Sequence, residues 1–231
     1  SRSKTRDQCA IELLGVFQLY GADACTVDGA ILSSVVPPLT TIFTDAIARL
    51  TGIPPMVVGP GIRTGLNIKA EIHNQLGSDI VASSVAAIAK YPSPIVMVDM
   101  GTATSLSLIV GSVYEGCIIM PGLALALDAL SERAAALPPI SIETASPVGL
   151  MGHTTEEAMR SGVLYGHASM VDGMLERIEE SIGQSVTTVA TGGNAPRILR
   201  YCKRPIQYDA DLIMTGLYLL YQKNAKKYRK A

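Results

Sequence analysis

The chain has 231 residues, of which 48% are hydrophobic and 17% charged, and its formal net charge is -1. That is the profile of a globular protein with enough chain for two modest domains, and it excludes a disordered or fibrous one. It also excludes a strongly basic nucleic-acid-binding face and any apolar run long enough to cross a membrane, and the polar start SRSKTRDQ is no secretory signal.

In chain order, Leu13, Val16, Phe17 and Tyr20 fall at helical spacing and predict a helix over 6–20. A short apolar run over 30–35, stopped by Pro37-Pro38, predicts a buried strand, followed by a helix to about residue 50 and a strand over 56–58. Gly59-Pro60-Gly61 marks a sharp loop, and the Ala- and Val-rich stretch over 79–91 a helix. From Pro94 the pattern changes. Strands over 95–99, 105–110 and 113–120, joined by short links, predict an antiparallel meander. A helix then runs from Pro121-Gly122 to about residue 137. A long one covers 154–182, with Val171, Met174, Leu175, Ile178 and Ile182 on one stripe. A strand over 186–190, a helix over 195–201 and a last helix over 211–222 complete the chain. The change at Pro92–Pro94 sets the domain boundary, giving 1–92 and 93–231. The basic tail, Lys223, Lys226, Lys227, Arg229 and Lys230, reads as a solvated terminus.

Cys9, Cys25, Cys117 and Cys202 form no C-x-x-C, and His73, His153 and His167 show no metal-ligand spacing. Both facts fit a reduced, cytoplasmic protein. Four segments carry candidate chemistry. In Asp99-Met100-Gly101-Thr102-Ala103-Thr104 a carboxylate ends a buried strand just before a glycine and hydroxyl turn. Such a turn aims N–H groups and hydroxyls at phosphate oxygens while the carboxylate holds a cation, although an ordinary tight turn also reads this way. Thr191-Gly192-Gly193-Asn194 joins a strand to a helix, where glycines admit an anionic or flat ligand to the backbone. In Gly77-Ser78-Asp79-Ile80, Asp79 is either an N-cap or the group that deprotonates an attacking hydroxyl. In His153-Thr154-Thr155-Glu156-Glu157, Thr154 and Glu157 fit a capping box, which leaves the Thr155 hydroxyl available to a ligand.

Together with Gly59-Pro60-Gly61-Ile62-Arg63-Thr64-Gly65-Leu66, Pro121-Gly122-Leu123, Ser131-Glu132-Arg133 and Val171-Asp172-Gly173, these segments resemble the type III pantothenate kinases of the actin-like ATPase superfamily. The resemblance implies an α/β fold of two ribonuclease-H-like domains, each a mixed sheet flanked by helices, with ATP in the cleft between them. It implies a homodimer that phosphorylates pantothenate with ATP and Mg²⁺, helped by K⁺ or NH₄⁺. On that pattern Asp79 is the general base, and Gly77, Ser78, Ile80 and Thr155 line the pantothenate site. Asp99 holds the monovalent cation, Gly101 and Thr102 meet the ATP phosphates, and Gly192 and Gly193 border the nucleoside. The family's opening D-x-G-N-T loop has no match, so the first strands are expected to precede Ser1. Ile80 stands where relatives often carry Arg, and Ala70 where they often carry Tyr. A regulatory protein on the same fold, like the Bvg accessory factors, is the competing expectation. An actin-like chaperone or filament protein would need more chain than this.

Overall fold

The computed structural model describes residues 5–69, 76–142 and 148–225; Ala70, His73, Lys226, Lys227, Arg229 and Lys230 lie outside the described residues. The chain divides into two compact units, one of Ser1–Ala89 with Leu212–Ala231 and one of Lys90–Asp211. The last helix therefore joins the first unit, whereas the single cut at 92/93 had left it with the second.

In the first unit, α1 (Arg6–Leu19) starts at a reciprocal cap. Thr5 Oγ1 accepts from the Gln8 N–H at 3.3 Å, and Gln8 Oε1 accepts from the Thr5 N–H at 2.9 Å. The apolar stripe read for this helix is not its core face. Val16 and Tyr20 are 53% and 79% exposed, and Cys9 is the buried residue. β1 (Ile31–Leu32) leads to α2 (Pro37–Thr51), whose first two positions are prolines and which ends at the left-handed Gly52. The two prolines open a helix, because the first helical N–H groups have no partner to lose, and β1 ends at Leu32, short of them and of the expected residue 35. Surface ion pairs Arg6–Asp45 (3.2 Å) and Arg49–Asp7 (2.9 Å) link α1 to α2. β1 pairs in parallel with β2 (Met56–Val57). β3 (Asn67–Ile68), too short to leave a periodic signal, precedes α3 (Ser78–Lys90). Val58, Ala82 and Leu220 form a buried cluster, with Ile31, Val85, Ile213 and Leu217 packed against it.

The second unit opens with β4 (Ile95–Met100), β5 (Ala103–Val110) and β6 (Val113–Pro121), antiparallel as the short links require. α4 (Leu123–Arg133) and α5 (Thr155–Ile182) then carry the chain across to β7 (Thr187–Thr191), which lies parallel to β4. α6 (Ala195–Leu199) and β8 (Gln207–Tyr208), parallel to β7, follow. The chain then returns to the first unit as α7 (Leu212–Asn224). Among the described residues of this unit the strand order is β6-β5-β4-β7-β8. β4 is central, and its unbroken run Ile95-Val96-Met97-Val98 is buried throughout, as expected of a strand covered on both faces. Val96, Val98, Leu106 and Ala190 of the sheet meet Leu164, Ala168, Val171 and Leu175 of α5 in one core. α4 ends at Arg133, short of the expected residue 137. Ala134 is extended, and Leu137 closes a separate turn onto Ala134 ahead of Pro138-Pro139, a pair that no helix continues into.

Candidate functional site

The carboxyl end of β4 collects two of the segments singled out above. Asp99 stands opposite Ser105 on β5 and Thr191 on β7, so both glycine turns emerge beside it. In the first turn the Gly101 N–H donates to the Ala103 carbonyl at 3.0 Å, and the Gly122 N–H donates to the Thr102 carbonyl at 3.1 Å. The second turn is tied to the first. The Asn194 N–H donates to the Met100 carbonyl (3.1 Å), and Asn194 Nδ2 donates to the Gly101 carbonyl (3.3 Å). Gly192 is required here on two counts. Its φ is +93°, and a Cβ would come within 2.7 Å of both Asp99 Oδ1 and the Met100 carbonyl. Asp99 is half-buried, while Thr102 and Gly193 are exposed. The result is two interlocked turns beside one half-buried carboxylate, with Thr102 and Gly193 facing solvent.

These residues fit a cation and a phosphate chain. The donors at the end of β4 are hard oxygens, a carboxylate and main-chain carbonyls, suited to an alkali or alkaline-earth ion. The absence of a side chain at Gly192 lets its backbone lie close against the carboxylate. Among the described residues no group of three His, Cys, Asp or Glu comes together.

Gly77, Ser78, Asp79 and Ile80 belong to the first unit. Asp79 is not the N-cap of α3. The Gly77 carbonyl accepts from the Val81 N–H at 3.1 Å, so Gly77 occupies the cap position and Asp79 lies in the first turn. Ser78 is fastened below it, its Oγ 2.8 Å from Ser33 Oγ and donating to the Ser34 carbonyl at 3.3 Å. The Asp79 carboxylate accepts from the Ile80 N–H at 2.9 Å and favours the positive end of the helix. This half-buried carboxylate has one oxygen engaged by the local backbone.

Thr155 is the first residue of α5 and is exposed. Thr154 caps the helix by accepting from the Glu157 N–H at 3.2 Å. The return arm of the expected box is displaced, since Glu157 Oε2 accepts from the His153 N–H (2.8 Å) and not from Thr154. Thr155 lines an open cavity of about 820 Å³ with Ala135, Leu137, Pro138 and Glu156. The two carboxylate segments thus lie on different units: Asp79 on the first, and Asp99, Gly101, Thr102, Thr155, Gly192 and Gly193 on the second.

Three clusters escaped the sequence reading because their partners are far apart in the chain. Asp172 accepts from the backbone N–H groups of Lys203 (2.8 Å) and Arg204 (3.3 Å), which gives the Val171-Asp172-Gly173 motif a structural task. Asp209, 9% exposed, binds Lys90 and accepts from Tyr91 Oη at 2.9 Å. Burial works to raise the Asp209 pKa, but Lys90, Tyr91 and the Asp211 N–H outweigh it and hold the carboxyl below its ordinary value. Burial, with Asp209 alongside, pushes Tyr91 up to about 12. The third cluster is the buried pair Thr104 and His167.

Comparison with known proteins places this arrangement in a group. The family model described as type III pantothenate kinase matches residues 1–177. A type III pantothenate kinase from an Exiguobacterium species is 39% identical over 226 residues, covering 97% of this chain and 88% of the relative. Another, from Halalkalibacterium halodurans, is 38% identical over 225 residues, covering 97% and 88%. Among solved structures, a Campylobacter jejuni protein assigned to a Baf family of transcriptional activators superposes with a TM-score of 0.53 at 21% identity. The match covers 75% of this chain and 74% of that one, and it shows a shared fold alone.

Proposed function

The chain belongs to the type III pantothenate kinase family, and from that premise we propose which of its residues carry the reaction. The reaction is phosphorylation of pantothenate by ATP with a divalent metal, the first step of coenzyme A biosynthesis. In this reading Asp79 accepts the proton of the substrate's primary alcohol as that oxygen attacks the γ-phosphorus and the bond to the β,γ-bridging oxygen breaks, releasing ADP. Gly77, Ser78, Ile80 and Thr155 line the site for pantothenate. The exposed Thr102 hydroxyl donates to a phosphate oxygen, the side-chain-free Gly101 lets the phosphates approach the turn, and Gly192 and Gly193 let the nucleoside lie against the backbone. Asp99 holds a K⁺ or NH₄⁺ ion, and Mg²⁺ travels with the nucleotide. These ions supply neutralisation of phosphate charge, the main requirement of phosphoryl transfer. The protein works as a cytoplasmic homodimer.

The observation that carries the assignment of Asp79 is its fixed position in the first turn of α3, with one oxygen engaged by the Ile80 N–H. Asp79→Asn keeps an oxygen to accept from Ile80 but cannot take a proton. It should fold with a thermal midpoint only slightly lowered by loss of the charge at the helix start, and lose about 10²–10⁴-fold in kcat. A variant that turns over pantothenate like the wild type removes Asp79 from the role of base.

A further inference from the structure

Thr104 and His167 are a buried polar pair between β5 and α5. Thr104 Oγ1 lies 2.8 Å from His167 Nε2, and the residues are 0% and 5% exposed. Thr104 is the second residue of β5, paired with Met100 across the hairpin and with Met120 on the other side. It shares the face of β5 with Leu106, which packs into the core formed with α5. His167 is on α5, 12 residues beyond Thr155, or about 18 Å along the helix axis. Burial holds the imidazole pKa below its ordinary value, so the ring is neutral, and a hydroxyl can donate to it or accept from it.

A buried hydrogen bond between two polar side chains adds little net stability over an apolar pair of the same shape. What it adds is register. A methyl contact permits sliding between β5 and α5, and a directional bond at 2.8 Å does not. The residue so fixed is two positions from Thr102 and adjoins the hairpin turn that meets Asp99, Asn194 and Gly122.

We propose that His167 is a positioning residue: through Thr104 it sets the β4–β5 turn for the ATP phosphates and ties that turn to the helix that presents Thr155. The proposal rests on the kinase reading above for the identity of the ligand, and on the geometry of the second unit for everything else.

The test uses the full chain and four variants, Thr104→Val, Thr104→Ser, His167→Phe and the double Thr104→Val/His167→Phe. MgATP affinity is measured by calorimetry, thermal stability by circular dichroism, and pantothenate turnover in parallel. Thr104→Val and His167→Phe each leave a buried polar atom unpaired, so both should lose stability and bind MgATP about fivefold more weakly. Thr104→Ser should recover affinity to within about twofold, because the hydroxyl is retained. In the double variant no polar atom is left unpaired, so stability returns while MgATP affinity stays low, and KM for pantothenate changes less than KM for ATP. Affinity that returns together with stability in the double variant makes the pair merely structural and overturns the proposal. So does an unchanged MgATP affinity in Thr104→Val. If the wild type binds MgATP but does not phosphorylate pantothenate, the kinase reading fails while the affinity comparison still decides the role of His167. If it binds no MgATP, both fall.

Discussion

Gly192 shows how a single missing side chain governs the chemistry at the end of β4. Its backbone is left-handed, and the space a Cβ would take is already held by Asp99 Oδ1 and the Met100 carbonyl. Any substitution therefore has to move the β7–α6 turn away from the carboxylate, as well as adopt a conformation that L-residues avoid. Gly192→Ala should cost about 1–3 kcal/mol in stability and remove most MgATP binding, measured by urea unfolding and calorimetry. Retention of wild-type affinity would mean that the nucleotide does not lie on this turn. Asp79 teaches a different lesson at the same scale. An aspartate before an alanine-rich run reads as a cap, yet the cap falls two residues earlier, at Gly77, and Ser78 in the first turn is held by Ser33 and Ser34.

At the scale of the element, α5 is the clearest case of function resting on ordinary helix chemistry. Its buried residues Val163, Leu164, Val171, Leu175 and Ile178 fix the rotation of the helix against the sheet. Its start is set by Thr154, whose hydroxyl accepts from the Glu157 N–H. The exposed Thr155 owes its orientation to that cap. Thr154→Ala should destabilise the protein by about 1 kcal/mol, read as a lower midpoint in thermal unfolding, and should raise KM for pantothenate more than KM for ATP. Thr154→Ser should restore both. If KM values stay unchanged while stability falls, Thr155 is not a substrate contact. α1 stands in contrast, since its apolar residues at helical spacing are largely exposed. Spacing alone reports that a face exists, and the rest of the fold decides whether anything covers it.

For the whole molecule, the decisive feature is that the chain leaves the first unit after Ala89 and comes back to it at Leu212. α7 is therefore part of the first unit's core: Leu220 is fully buried, and Gly216 packs so closely on the Ala82 carbonyl of α3 that no Cβ fits. Gly216→Val should push α7 off α3 and cost about 3 kcal/mol, seen in urea unfolding. The same substitution should leave the second unit's meander intact, observable as retained protection of β4–β6 amides in hydrogen exchange. Equal loss of protection in both units would show that the two do not unfold separately.

The elements of both units were largely legible in the chain itself, because periodicity, prolines and glycines act over a few residues. The run Ile95-Val96-Met97-Val98, the short links of the meander and the length of α5 each carry their own signal. So do the two glycine turns, Asp79 and Thr155, whose residue types suggest phosphate and hydroxyl chemistry wherever they are placed. Tertiary structure alone decided which of these meet. It brought Gly192 against Asp99, paired Thr104 with His167, bound Asp172 to Lys203 and Arg204, and returned α7 to the first unit. Those contacts join residues 31 or more positions apart in the chain, and 134 apart where Gly216 meets Ala82. They arise from packing each unit's layers around its own core, and no local pattern of residues encodes the distance across it.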